Sequence, residues 1–179
     1  MHVKVITEPT AEPLTVADAQ EYLHLDQGQE DDTVKRIIAA ARRSAEKFTR
    51  RSLAVKTYEL ILDERKERIK IPNPPLQTID KVSVKDRKGN VIEVTDFYVS
   101  ESEPAILLVE WPDVELYPID AFKVQYTAGY ETLPEDIGQA IHLLVSHFYE
   151  NREAVIVGTS VVKIPFSIES LLYPYKGWF

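Results

Sequence analysis

Apolar positions along the chain repeat at two different periods, and the change from one to the other divides the sequence. Val34, Ile37, Ile38, Ala41, Ala45 and Phe48 fall at i, i+3, i+4, i+7, i+11 and i+14, one continuous stripe that predicts a helix over about residues 31–51. The opposite face of that helix carries Lys35, Arg36, Arg42, Arg43, Lys47, Arg50 and Arg51. A shorter helix, about 15–25, is announced by Thr15-Val16-Ala17-Asp18, a capping-box-like start after Pro13, with Ala19, Tyr22 and Leu23 at helical spacing. Between the two, the acidic turn from Asp26 to Asp32 sets carboxylates at the positive end of the longer helix.

From Val55 the period falls to two. Tyr58, Leu60 and Leu62 share one face, with Thr57 and Glu59 on the other, so strands replace helices. Pro72, Pro74 and Pro75 interrupt this region; Ile79, Val82 and Val84 then lead through Gly89-Asn90 to Val91–Val94, the pattern of a hairpin. Short strands are also predicted near 97–100, 106–110 and 122–126, making 55–127 strand-rich. Thr132-Leu133-Pro134-Glu135 reads as a capping box with a first-turn proline, opening a helix over about 134–150 with Ile137, Ala140, Ile141, Leu144, Val145 and Phe148 as its stripe. Residues 154–163 have no clear period and read as irregular or awaiting a partner; a last short helix is predicted at about 167–173. The aromatic end, Pro174 to Phe179, predicts docking onto this domain or a neighbour. The expected fold is α+β and mainly helical: one domain over 1–179, its helices packed together, with a strand-rich insertion between the second and third.

Composition narrows the chemistry. With no cysteine, disulfides, thiolate metal sites and a cysteine nucleophile are excluded. A net charge of −8 opposes general adhesion to nucleic acid or anionic lipid, which relies on clustered Lys and Arg. The opening apolar run is too short for a signal peptide, and no stretch approaches the roughly 18 apolar residues of a membrane span. Of four histidines, only His142 and His147 are close, and a spacing of five on a helix turns the rings to different faces, whereas a metal-binding helix needs three or four. Glu30-Asp31-Asp32 lacks the alternating oxygen ligands of a calcium loop. Phosphate-cradling and nucleophile-elbow motifs are missing. No catalytic, cofactor-binding or metal residue is assigned, and an enzyme is not expected.

Several segments, in this order and spacing, resemble the phage head-tail connector family of head-completion or adaptor proteins. They are Leu14-Thr15-Val16-Ala17-Asp18-Ala19; Glu30-Asp31-Asp32 opening the helix that ends Phe48-Thr49-Arg50-Arg51-Ser52-Leu53; Ile71-Pro72-Asn73-Pro74-Pro75-Leu76; Val124 to Tyr130; and Leu133-Pro134-Glu135-Asp136-Ile137 through His147-Phe148-Tyr149-Glu150-Asn151-Arg152, closed by Ile164-Pro165 and Leu171-Leu172-Tyr173-Pro174-Tyr175. The resemblance implies a structural subunit of a tailed phage or prophage virion, made in the host cytoplasm. It would close into a cyclic, dodecameric ring between the portal of the head and a stopper or tail-completion protein, with DNA passing through without sequence-specific binding, and without membrane or cofactor. Ring closure by rotation needs unlike, complementary faces on each subunit. The candidate subunit interface is the cationic helix face, Lys35, Arg36, Arg42, Arg43, Lys47, Arg50 and Arg51. The candidate portal-docking residues are Ile164, Pro165, Leu171, Leu172, Tyr173, Tyr175, Trp178 and Phe179. Two other functions compete: a nucleic-acid-binding module using the same basic face, and a hydrolase pairing a carboxylate with His142 or His147.

Overall fold

A computed structural model describes residues 1–151 and 165–177. The chain forms two compact units, one from Met1–Thr10 with Ala54–Tyr130 and the other from Ala11–Leu53 with Glu131–Phe179.

The first unit is all strand: β1 (His2–Thr7), β2 (Lys56–Leu62), β3 (Arg68–Lys70), β4 (Leu76–Lys85), β5 (Val91–Glu93), β6 (Phe97–Val99), β7 (Ile106–Val109) and β8 (Phe122–Ala128). They form a five-stranded antiparallel sheet ordered β1-β2-β8-β4-β5 and a three-stranded antiparallel sheet ordered β3-β7-β6. The alternation in β2 and β8 is strict, and paired positions Tyr58↔Tyr126, Leu60↔Val124 and Leu62↔Phe122 all point inward. Ile69, Leu107 and Val109 of the small sheet meet them in one apolar core. Tyr58 stacks on Tyr126 at 5.3 Å between ring centres, and Phe122 meets Trp111 edge-on at 4.7 Å. Trp111 also donates its indole N–H to the carbonyl of Lys66 at 2.8 Å, while Arg65 donates to the carbonyl of Trp111 at 2.9 Å. Gly129, at φ +132°, ends β8 where a Cβ would run into the backbone of Ala54 and Val55.

The second unit holds α1 (Val16–Tyr22), α2 (Asp31–Thr49), α3 (Glu135–Glu150) and α4 (Phe166–Leu172), followed by a 3₁₀ turn at Tyr173–Tyr175. Thr15 caps α1, its hydroxyl accepting from the Asp18 N–H at 3.1 Å and donating to the Asp18 carboxylate at 2.6 Å. Glu30, the N-cap of α2, makes no side-chain cap bond; instead buried Gln20 reaches over from α1 to the Gln29 carbonyl at 2.8 Å and the Asp31 carboxylate at 2.7 Å. The apolar stripes of α2 and α3 are buried, except for the partly buried Phe48, together with Ile168 and Leu172 of α4.

Two expectations are corrected. The protein is not mainly helical: helix and strand account for 32% and 27%, and the strands build two sheets of their own. Nor are the strands only an insertion between the second and third helices, because β1 precedes every helix and forms an edge of the larger sheet. Locally, Thr132 does not cap α3; Pro134, in an extended conformation at ψ 141°, is itself the N-cap and the helix begins at Glu135.

Candidate functional site

The long basic helix does not present all its cations alike. Arg42 is 3% exposed. Its guanidinium donates to both Glu12 carboxylate oxygens, at 2.6 and 3.2 Å, and to Glu46 at 2.9 Å. Burial alone lowers the Arg42 pKa, but hydrogen bonding to Glu12 and the charges of Glu46 and Glu12 outweigh it, so the pKa ends above its ordinary value and the charge is held. Glu46 also accepts from the Leu53 backbone N–H at 3.0 Å, so this cluster ties the residues preceding α1 to the end of α2. Arg42 therefore belongs to the interior of its unit and not to a docking face.

Arg51 is likewise turned inward, half-buried and donating its Nε–H to the Tyr175 carbonyl. Arg50, exposed at φ 57°, ends α2. Lys35 is exposed and sits 3.8 Å from Asp32, and Arg36 makes a long 3.4 Å contact with the Thr33 hydroxyl. Arg36, Arg43 and Lys47 fall at i, i+7 and i+11 and are all exposed, so the outward cationic surface is this stripe with Lys35 and Arg50 at its flanks.

The carboxyl-terminal candidates divide in the same way. Leu172 is fully buried, Pro165 is the half-buried N-cap of α4, and Leu171 is half-buried. Tyr175 is half-buried, its hydroxyl 3.4 Å from Asp136, and the Gly177 N–H donates to the Thr49 carbonyl at 2.8 Å. The described part of the tail thus docks onto its own unit. Tyr173, 55% exposed, faces outward. Sequence reasoning missed Phe166, 85% exposed, the first residue of α4. Its signal was a large aromatic at the first helical position after Pro165, where a helix has no preceding turn to pack against. Ile164, Trp178, Phe179 and the irregular segment 154–163 lie outside the described residues.

His142 Nδ1 lies 2.9 Å from the Gly138 carbonyl and its ring rests 4.9 Å from Tyr22, whereas His147 lies beside Phe148 with its Nε2 buried and without a hydrogen-bond partner among the described residues. Among the described residues, no group of three or more His, Cys, Asp or Glu is placed to hold a metal ion, and no helix is long and apolar enough to cross a membrane.

The head completion protein family matches the chain over residues 12–176, nearly its whole length. The chain belongs to the head completion protein family. It is a structural virion protein of the bacteriophage type. A comparison with curated proteins finds no match. Among solved structures, this head completion protein is similar to a chain in the neck of an empty gene transfer agent particle computed with C6 symmetry. That likeness has a TM-score of 0.79 at 21% identity, over 98% of this chain and 95% of the other. It is also similar to a chain in the virion of a native gene transfer agent particle, with a TM-score of 0.77 at 22% identity over 98% and 95% of the two chains. A chain in the neck of the native particle computed with C12 symmetry gives a TM-score of 0.77 at 21% identity over the same shares. These likenesses establish a common fold that includes both the sheet unit and the helical unit.

Proposed function

We propose that this head completion protein is the adaptor of the head-tail junction: copies close into a ring that sits between the portal and the stopper or tail-completion protein and leaves a central passage for DNA. The observation that carries this reading is the family match over residues 12–176, supported by a fold shared with chains from particle necks computed with sixfold and twelvefold symmetry. A dodecamer is the copy number proposed. The exposed stripe of Arg36, Arg43 and Lys47 supplies one of the unlike faces a ring needs, meeting carboxylates of the next copy in a chain whose net charge is −8. Phe166 and Tyr173 supply the apolar contact for the portal; Leu172, buried in its own unit, does not. The chemistry is non-catalytic.

The test is co-purification with the portal ring and a mass measurement that counts bound copies. Deleting residues 154–179 is the wrong control, since it strips Ile168 and Leu172 from the helical core. Phe166→Glu with Tyr173→Glu leaves that core intact. Stoichiometric rings that are lost in this double variant support the reading; no binding at any salt concentration overturns it. The exposed stripe gives one competing function a specific footing, duplex DNA binding. That function predicts affinity for free DNA that falls steeply with salt and is abolished by Arg43→Glu with Lys47→Glu.

A further inference from the structure

The five-stranded sheet has two open edges, and they are unlike. At one end is β1, six residues without proline, whose side chains are exposed on both faces except for Val3. At the other is β5, three residues, with Val91 63% exposed. Among the described residues, no strand pairs with the outer side of either. Open edges of this kind are pairing sites unless charges, prolines, bulges or a covering element blunt them. Here the bulge lies at the far end, between Val5 and Thr7, and Lys4 is the one strongly charged residue within the strand.

The registers show what the two edges would offer one another. A single cross-strand row runs His2, Ile61, Lys123, Ser83, Glu93 across the whole sheet, so His2 and Glu93 stand at opposite ends of the same face. Lys4 stands on that face too, paired with Glu59. The β1 edge therefore ends in cationic or protonatable groups and the β5 edge in a carboxylate. Glu93 already lies 3.6 Å from Lys81, but both are well exposed and such a pair contributes little, so exchanging partners costs little. On the other face, Val3 at one edge and Ile92 at the other are both partly buried against the same core, so joining the edges would continue an apolar surface as well as a polar one. Beside β5 there is a hollow of about 390 Å³ lined by Lys85, Val91, Tyr117 and Ile119. Each strand is antiparallel to the next through five strands, so β1 and β5 run in the same direction. A copy related by rotation about an axis near the strand direction can then set its β1 against β5 of its neighbour, and the operation repeats head to tail.

We infer that β1 of one copy pairs with β5 of the next, extending the large sheet from subunit to subunit around the ring. The inference rests on the ring reading above and adds to it the edge that sets register. Three residues of β5 make a short ladder, so this contact fixes orientation while other surfaces supply most of the affinity.

The chain has no cysteine, so introduced thiols report on one contact at a time. Full-length protein carrying Lys4→Cys together with Glu93→Cys, assembled on portal rings and mildly oxidised, is expected to give a ladder of covalent oligomers; mixing the two single variants gives dimers and nothing longer. His2→Cys with Glu93→Cys covers a register shifted by two residues. Rings of full mass that give no ladder with either pair overturn the edge pairing and leave the ring reading standing. Dimers from Lys4→Cys alone overturn it in favour of twofold pairing of β1. Failure of the cysteine-free protein to form rings overturns the ring reading, and the edge pairing with it.

Discussion

The helical unit and the sheet unit solve the burial problem in opposite ways. In the helices the apolar stripe is continuous, and the main buried charge, Arg42, is answered by Glu12 and Glu46 of the same unit. In the sheets the core is largely apolar, with the Tyr126 hydroxyl buried inside it, and unpaired backbone edges lie at β1 and β5. A helix closes its hydrogen bonds within itself, whereas a sheet closes them only by adding a strand. The difference teaches where to look for assembly contacts: on the helical unit, at side chains left outside the stripe, and on the sheet unit, at the backbone itself.

Substitutions can break or sharpen that contrast. The largest effect is expected at Gly129, where φ +132° and the adjoining Ala54 backbone leave no room for a Cβ; Gly129→Ala should destabilise by about 4 kcal/mol, combining backbone strain with overpacking, and appear as a loss of soluble protein or a sharply lower denaturant midpoint. Next is Arg42→Met, which strands two carboxylates and should cost about 3 kcal/mol, against no more than about 0.5 kcal/mol for Arg43→Met one position along the same helix. Equal effects in chemical denaturation would mean that the inward and outward cations of α2 are not distinct. Trp111→Phe keeps the ring against Phe122 but loses the indole bond to Lys66, and about 1 kcal/mol is expected.

The smallest effect is a pH dependence. Asp86 accepts from the Asn90 side chain, with further backbone donors in the β4–β5 turn, and these hold its carboxyl below the usual carboxylate range. A depressed folded-state pKa stabilises above the unfolded value of about 3.9 and is lost as pH falls through the folded value. Native protein and Asp86→Ala should therefore differ in melting temperature at pH 6 and converge towards pH 3; a constant gap would assign the turn's stability to something other than the carboxylate.

Much of the helical unit could be read from spacing, because an unbroken stripe from Val34 to Phe48 has no strand counterpart. Its end could not: α2 stops at Thr49 because Arg50 adopts φ 57°, a turn that no glycine signals. The overall balance was misjudged because β1 was not counted as a strand and a three-residue strand such as Arg68–Lys70 is too short to show a period, with its partner far along the chain. β1 did carry a signal, the alternation of Val3 and Val5 with His2 and Lys4, but it was read only for what it lacked as a leader. The cationic face was visible as a list of residues; which of them turn inward depends on Glu12 and Tyr175, 30 and 124 residues away, and no helical periodicity reports that.

The central claim is that this head completion protein rings the portal through surfaces outside its own cores, and native mass measurement of the portal complex tests it most directly. The account predicts one discrete dodecameric species, weakened by Arg43→Glu with Lys47→Glu and lost with Phe166→Glu and Tyr173→Glu. A complex of scattered stoichiometry, or one indifferent to Phe166 and Tyr173, would contradict it.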